Sequence, residues 1–157
     1  MQFRMKTHQL PQEKIEALLR RSAAGALATV DAEGAPYAVP VHFALVGEVV
    51  YVHGLPAGQK LENIRANPRV CLTVWEMQGL LLDPEGRPCE NNTAYESAVL
   101  RGRASLVDDL EEKRAALRAV IAKYTPEMLG APLPENMLRG TAVLCIEPDA
   151  VTGKYWP

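Results

Sequence analysis

Apolar and polar residues alternate along much of this chain, the period-two pattern of strands that turn one face to a core. Such runs cover 26–30, 36–43, 49–53, 69–75, 93–107 and 141–146. Asp31-Ala32-Glu33-Gly34 between the first two runs predicts a β-hairpin, and Val46-Gly47-Glu48 predicts a second turn. Helical spacing replaces alternation in three places. Residues 11–22 carry Ile15, Leu18 and Leu19 behind Pro11; residues 59–66 stop at Asn67-Pro68, because the residue before proline avoids helical angles; and residues 110–124 turn Leu110, Leu117, Val120 and Ile121 toward the core. Asp108 or Asp109 suits the cap of that third helix, with a glutamate three residues on in each case.

Glycine and proline punctuate the rest. The segment 77–92 is expected to be a loop, 125–140 a proline-rich connection and 148–157 a C-terminal tail, while Gly102 marks a bend or bulge within 93–107. Six strands joined mostly by tight turns predict a mainly β protein, a six-stranded antiparallel barrel with flanking helices. A doubly wound sheet is excluded, since only two connections between strands contain a helix.

Composition adds limits. At 157 residues the chain fits one domain, 1–157, and a net charge of −2 gives no drive toward nucleic acid or an anionic membrane. Cys71, Cys89 and Cys145 lack metal-ligand spacing, and Cys71 and Cys145 lie in apolar runs that suit buried thiols. Met1 to Thr7 holds no apolar signal core, and no apolar run approaches membrane-spanning length, so a cytoplasmic protein is expected.

One stretch carries chemistry. In Tyr51-Val52-His53-Gly54-Leu55-Pro56-Ala57-Gly58-Gln59-Lys60 a strand ends, a loop with two glycines follows, and a lysine arrives at a helix start. Backbone N–H groups, a helix N-terminus and a cation at one point suit an anion such as phosphate. A solvated lysine on a surface helix fits the spacing equally well. His53 either hydrogen-bonds a ligand or caps the sheet, and its pairing with His42 lacks a third ligand, so no metal is expected. Pro40 removes a ladder hydrogen bond and marks an edge or an interruption. No nucleophile elbow, P-loop or dinucleotide fingerprint occurs.

The ordered set Leu27-Ala28-Thr29-Val30-Asp31, Gly34-x-Pro36-Tyr37-x-Val39-Pro40-Val41, Tyr51-Val52-His53-Gly54, Gly58-x-Lys60, Asn67-Pro68-x-Val70, Tyr95-x-Ser97-x-Val99-x-x-Gly102, Glu112-Lys113 and Thr152-Gly153-Lys154 resembles the FMN-binding split-barrel family of pyridoxamine 5'-phosphate oxidase, nearest its nitroimidazole-resistance-type branch. The resemblance implies a homodimer with FMN at the interface. It puts Lys60 on the FMN phosphate with Val52, His53, Gly54 and Gln59 alongside, main chain of Val39, Pro40 and Val41 facing the ring, and Tyr95 and Ser97 approaching from the partner subunit. Gln59 stands where the oxidase has arginine, and the oxidase's C-terminal substrate signature is missing, which argues against pyridoxamine phosphate as substrate. The implied activity is NAD(P)H-dependent reduction of a small acceptor, a nitroaromatic among them, with His53 as hydrogen-bond donor or proton source beside the ring. A non-catalytic flavin-binding module, and a haem- or deazaflavin-binding relative, are the alternatives.

Overall fold

The structure is a computed structural model and describes residues 6–157, so most of Met1 to Thr7, expected to hold no signal core, lies outside the described residues. Among the described residues seven strands form one sheet: β1 Gly25–Val30, β2 Pro36–Val41, β3 Phe43–Val46, β4 Val49–Gly54, β5 Arg69–Leu81, β6 Asn92–Leu106 and β7 Ala142–Trp156. Among the described residues these helices flank it: α1 Gln12–Arg21, α2 Gln59–Ala66, α3 Leu110–Tyr124 and α4 Glu135–Gly140. The strand order is β2-β1-β5-β6-β7-β4-β3, and every neighbouring pair is antiparallel.

The two edge strands of this sheet, β2 and β3, are consecutive in the chain and separated by His42 alone. The sheet therefore curls until its edges approach, and the barrel stays split at that point. This corrects the expected six strands to seven. The run 36–43 is two strands, because at His42 the chain stops pairing with β1 and begins pairing with β4. Pro40 falls on an edge strand, where its missing N–H leaves no ladder bond unmade.

Two further expectations are corrected. Residues 77–92 are not one loop, since β5 continues to Leu81 and pairs with β6 from Asn92 across a register shift between Met77 and Gly79. The bulge interrupts the alternation that would have shown the strand in sequence. Nor is 148–157 a tail: it is the second half of β7, paired with β6 from Gly102↔Pro148 to Tyr95↔Trp156. Here the irregularity lies at Arg101/Gly102, where a Cβ on Gly102 would stand 2.0 Å from the Glu147 carbonyl oxygen. Only glycine lets the two backbones approach so closely.

The core fills the barrel with Leu27, Phe43, Val50, Val52, Leu72, Val74, Leu100, Leu144 and Ile146. Helix α1 adds Ile15, Leu18 and Leu19, all buried, each contributing roughly 1.5–3 kcal/mol by leaving water. Its C-terminus is tied to the sheet by charge: Arg21 Nε donates to Glu76 at 2.7 Å, Arg21 Nη2 pairs with Glu96, and Ser22 Oγ donates to Glu76 at 2.9 Å. Helix α3 is capped by Asp109, whose Oδ1 accepts from the Glu112 N–H at 2.8 Å. Ala116 and Val120 are its buried residues, while Leu110, Leu117 and Ile121 are only half-buried. Of the two thiols expected inside, Cys145 is buried and Cys71, on the outer face of β5, is half-buried. Among the described residues no helix is long and apolar enough to cross a membrane.

Candidate functional site

The split in the barrel is also where chemistry-bearing residues collect. A hollow of about 380 Å3 is lined by Ala24, Pro40, Val41, His42, His53 and Lys60. Strand β2 contributes Pro40 and Val41, the inter-strand link contributes His42, and the end of β4 contributes His53. A second hollow of about 630 Å3 shares Ala24 and Pro40 with the first and runs past Ala26, Ala38 and Val39 to Trp75 and Glu76. Together they make a trough with Lys60 and the two histidines at one end, the Arg21–Glu76 ion pair and Trp75 at the other, and small apolar side chains between them. Volumes of this size hold a small ligand or cofactor.

Helix α2 brings Lys60 to the trough. Its N-cap, Gly58, has φ 131°, a conformation in which a side chain would be strained, and no side chain caps the helix. The free N-terminal N–H groups and the helix dipole both favour an anion there. Lys60 Nζ folds back over Gly54, within 3.4 Å of where a Cβ would be. Burial pushes the Lys60 ammonium below its usual range, and no carboxylate lines its hollow. His53 is its neighbour. The Nδ1 atom of His53 is buried without a hydrogen-bond partner. Burial first, then the charges of His42 and Lys60, hold the imidazole below its ordinary pKa. His42 itself is exposed and stacks on Tyr124, with ring centroids 4.4 Å apart.

The expected site residues separate into three groups. Val39, Pro40, Val41, His53, Gly54 and Lys60 meet along the trough or the slit beside it. Val52 and Gln59 serve the frame. Val52 borders the same slit, but its side chain is 1% exposed in the core, and its backbone sits in register with both Phe43 and Leu144. Gln59 Nε2 donates to Asn63 Oδ1 at 2.7 Å. Tyr95 and Ser97 line neither hollow of the trough; they lie on the outer face of β6, where Ser97 stands opposite Trp75 and donates to the Lys154 carbonyl at 3.4 Å.

The sequence reading missed Asn63 and Thr29. Asn63 is buried, and its Nδ2 donates to Thr29 Oγ1 at 2.9 Å, which in turn donates to the Tyr37 carbonyl at 3.3 Å. This chain from Gln59 through Asn63 and Thr29 fixes α2, and with it Lys60, against β1 and β2. The i, i+4 spacing of Gln59 and Asn63 was its one visible trace. Among the described residues no cluster of three or more histidine, cysteine or acidic side chains could hold a metal.

Known proteins share this fold. A candidate 5-nitroimidazole antibiotic resistance protein from Bacteroides thetaiotaomicron is 30% identical, with 93% of this chain and 85% of that one covered and a TM-score of 0.80. The flavocytochrome Anf3 from Azotobacter vinelandii is 26% identical over 94% of this chain and 68% of that one, with a TM-score of 0.83. An FAD-binding protein from Mesorhizobium loti is 25% identical over 95% and 97%, with a TM-score of 0.68. No curated protein matches. The family model described as pyridoxamine 5'-phosphate oxidase matches residues 11–155, nearly the whole chain, and the protein belongs to that family.

Proposed function

We propose that this protein binds FMN in the trough at the barrel split and uses it to reduce a small acceptor at the expense of NAD(P)H. The observation that carries the reading is the uncompensated positive corner: a half-buried lysine and a histidine with an unpartnered buried Nδ1 share one hollow without an acid. Leaving buried polar groups unmatched is costly, so such a corner makes sense as the receiver of an anion. The similarity to an FAD-binding protein and to a flavocytochrome supports a flavin as that ligand.

The fit extends along the trough. Lys60 and the N-terminus of α2 would hold the phosphate, Gly54 leaves room for it, and Val39, Pro40 and Val41 would lie along the ring. A bound flavin supplies two-electron redox chemistry. The chain's own part is to anchor the phosphate, orient the ring and exclude water with Val41 and the apolar floor.

We also propose that the working form is a homodimer. Trp75, Met77, Leu80 and Leu82 are 57%, 65%, 66% and 70% exposed. The bulge between Met77 and Gly79 keeps the first three on one face, with Ser97, Tyr95 and Thr93 as their cross-strand partners. An apolar stripe of that size marks an interaction surface. A partner packed there would bring its Tyr95 and Ser97 toward the trough.

The visible spectrum of the purified protein tests the cofactor. Paired flavin bands are expected, bleached by NADPH or NADH under anaerobic conditions. Protein that stays colourless with added FMN overturns the reading, and retained colour with both donors reduces it to a binding module. The flavocytochrome relative and the His42–His53 pair give a haem reading its one foothold, and a Soret band would establish it. Met77→Glu is expected to convert a dimer to a monomer in light scattering; an unchanged mass refutes the interface.

A further inference from the structure

Three titratable side chains border the smaller hollow, and none is acidic: Lys60 from α2, His53 from β4 and His42 from the link between β2 and β3. The strands flanking His53 bring no charge to it. Its partner on β7 is Val143, and β3 places Phe43 beside neighbouring Val52. On the far side of His42 stands Tyr124, whose hydroxyl donates to the Phe43 carbonyl at 3.1 Å and accepts from the Phe43 N–H at 3.0 Å. Lys123 beside it donates to the Leu19 carbonyl at 2.9 Å and rests over the Phe43 ring. Glu112 of α3 accepts from the Tyr51 hydroxyl at 3.0 Å. The charges acting on His53 are therefore those of His42 and Lys60, both positive when protonated.

We propose that His53 is a second ligand of the phosphate that Lys60 holds, and that it takes up a proton as the dianion binds. This rests on the flavin reading above and assigns His53 to the phosphate end of the trough rather than to the reacting ring. The geometry supports it, because His53 shares its hollow with Lys60 and keeps Nδ1 buried and unmatched. In the free protein burial, with the Lys60 ammonium beside it, opposes a charge on the imidazole. A doubly negative phosphate reverses the sign of that field, and the imidazolium then becomes the favoured form with a donor at each ring nitrogen. Binding and protonation are linked, so affinity must fall as pH rises through the window between the free and the bound pKa of His53. Below about pH 6 the phosphate takes up its own second proton, which limits the gain on the acid side.

The test titrates the apo-protein with FMN and with riboflavin, which lacks the phosphate, following flavin fluorescence from pH 6.5 to 8. Calorimetry at pH 7 in two buffers of different ionisation enthalpy reads the proton directly. For the native protein, FMN affinity is expected to fall roughly three- to tenfold across that range, as one linked proton allows, with net proton uptake and a flat riboflavin profile. His53→Asn, which cannot be protonated, should flatten the FMN profile and leave riboflavin affinity within about twofold. Flavin binding without proton uptake overturns the proposal and leaves the flavin reading intact, whereas failure to bind either flavin overturns both. Two further outcomes also refute it. One is a slope lost in His42→Asn but kept in His53→Asn. The other is slower reduction of bound flavin in His53→Asn with FMN affinity unchanged, which returns His53 to the ring.

Discussion

Two half-buried lysines in this protein share a cause of perturbation and differ in everything else. Lys60 at the start of α2 and Lys123 near the end of α3 are both pushed below the usual lysine range by burial, Lys123 to about 8. Lys123 has its compensation within the chain: the Leu19 carbonyl accepts its proton at 2.9 Å, and the Phe43 ring lies 3.6 Å from its ammonium. Tyr124 next to it spans the Phe43 N–H and carbonyl. Lys60 faces a hollow, an orphaned histidine nitrogen and an uncapped helix end. A cation satisfied by its own fold is a structural part. One left unsatisfied at a cavity is a candidate for binding, and desolvation alone does not tell them apart.

The contrast breaks hardest at Phe43, the floor of the Lys123 region, which is fully buried. Phe43→Ala should lower stability by about 3–5 kcal/mol through the cavity it leaves, seen as an early midpoint in urea unfolding. Less severe but more diagnostic is Lys60→Ala. A hydrogen bond to a charged group is worth roughly 1.5–3 kcal/mol, so FMN affinity should drop about 10- to 100-fold while the unfolding midpoint stays put. Lys123→Met is its mirror image. It should cost at most about 1 kcal/mol of stability, because losing the bond to the Leu19 carbonyl is partly offset by removing a desolvated charge, and leave FMN affinity within twofold. If Lys60→Ala destabilises the fold while Lys123→Met weakens flavin binding, the assignment of the two lysines is reversed.

The strand–loop–helix corner that carries Lys60 was legible because its elements are local: β4, the glycine loop and α2 follow one another, and Gln59–Ala66 forms the expected helix. Pro40 was legible as an edge residue for the same reason. What escaped was set by partners distant in sequence. His42 looks like one more strand residue until β2 and β3 take different neighbours. The continuation of β5 past Met77 and of β7 past Pro148 lies behind bulges, which shift the alternation by one residue and erase its signal. The tie of Arg21 to Glu76 and Glu96 spans more than fifty residues, and only the folded barrel brings those charges together. Lys123 is the sharpest case, because nothing in Ile121-Ala122-Lys123-Tyr124 distinguishes it from a solvated lysine.

The finest distinction between the two lysines lies in alkaline stability. Lys123 titrates near 8 in the folded protein against a usual value of 10.5. Between these values the unfolded chain holds the proton and the folded chain has released it, so stability rises with pH across that window. The neutral amine still donates to the Leu19 carbonyl, and no hydrogen bond is lost on the way. Because the group is only half-buried, solvent screening leaves about 1 kcal/mol of gain. It should appear as a larger increase in unfolding free energy from pH 7.5 to 9.5 in the native protein than in Lys123→Met, and equal slopes would refute it. Lys60 adds to the rise in the same direction, since burial lowers it too. Saturating FMN should abolish that share alone, because a phosphate dianion restores the preference of Lys60 for its charged form and leaves Lys123, bonded within the fold, untouched.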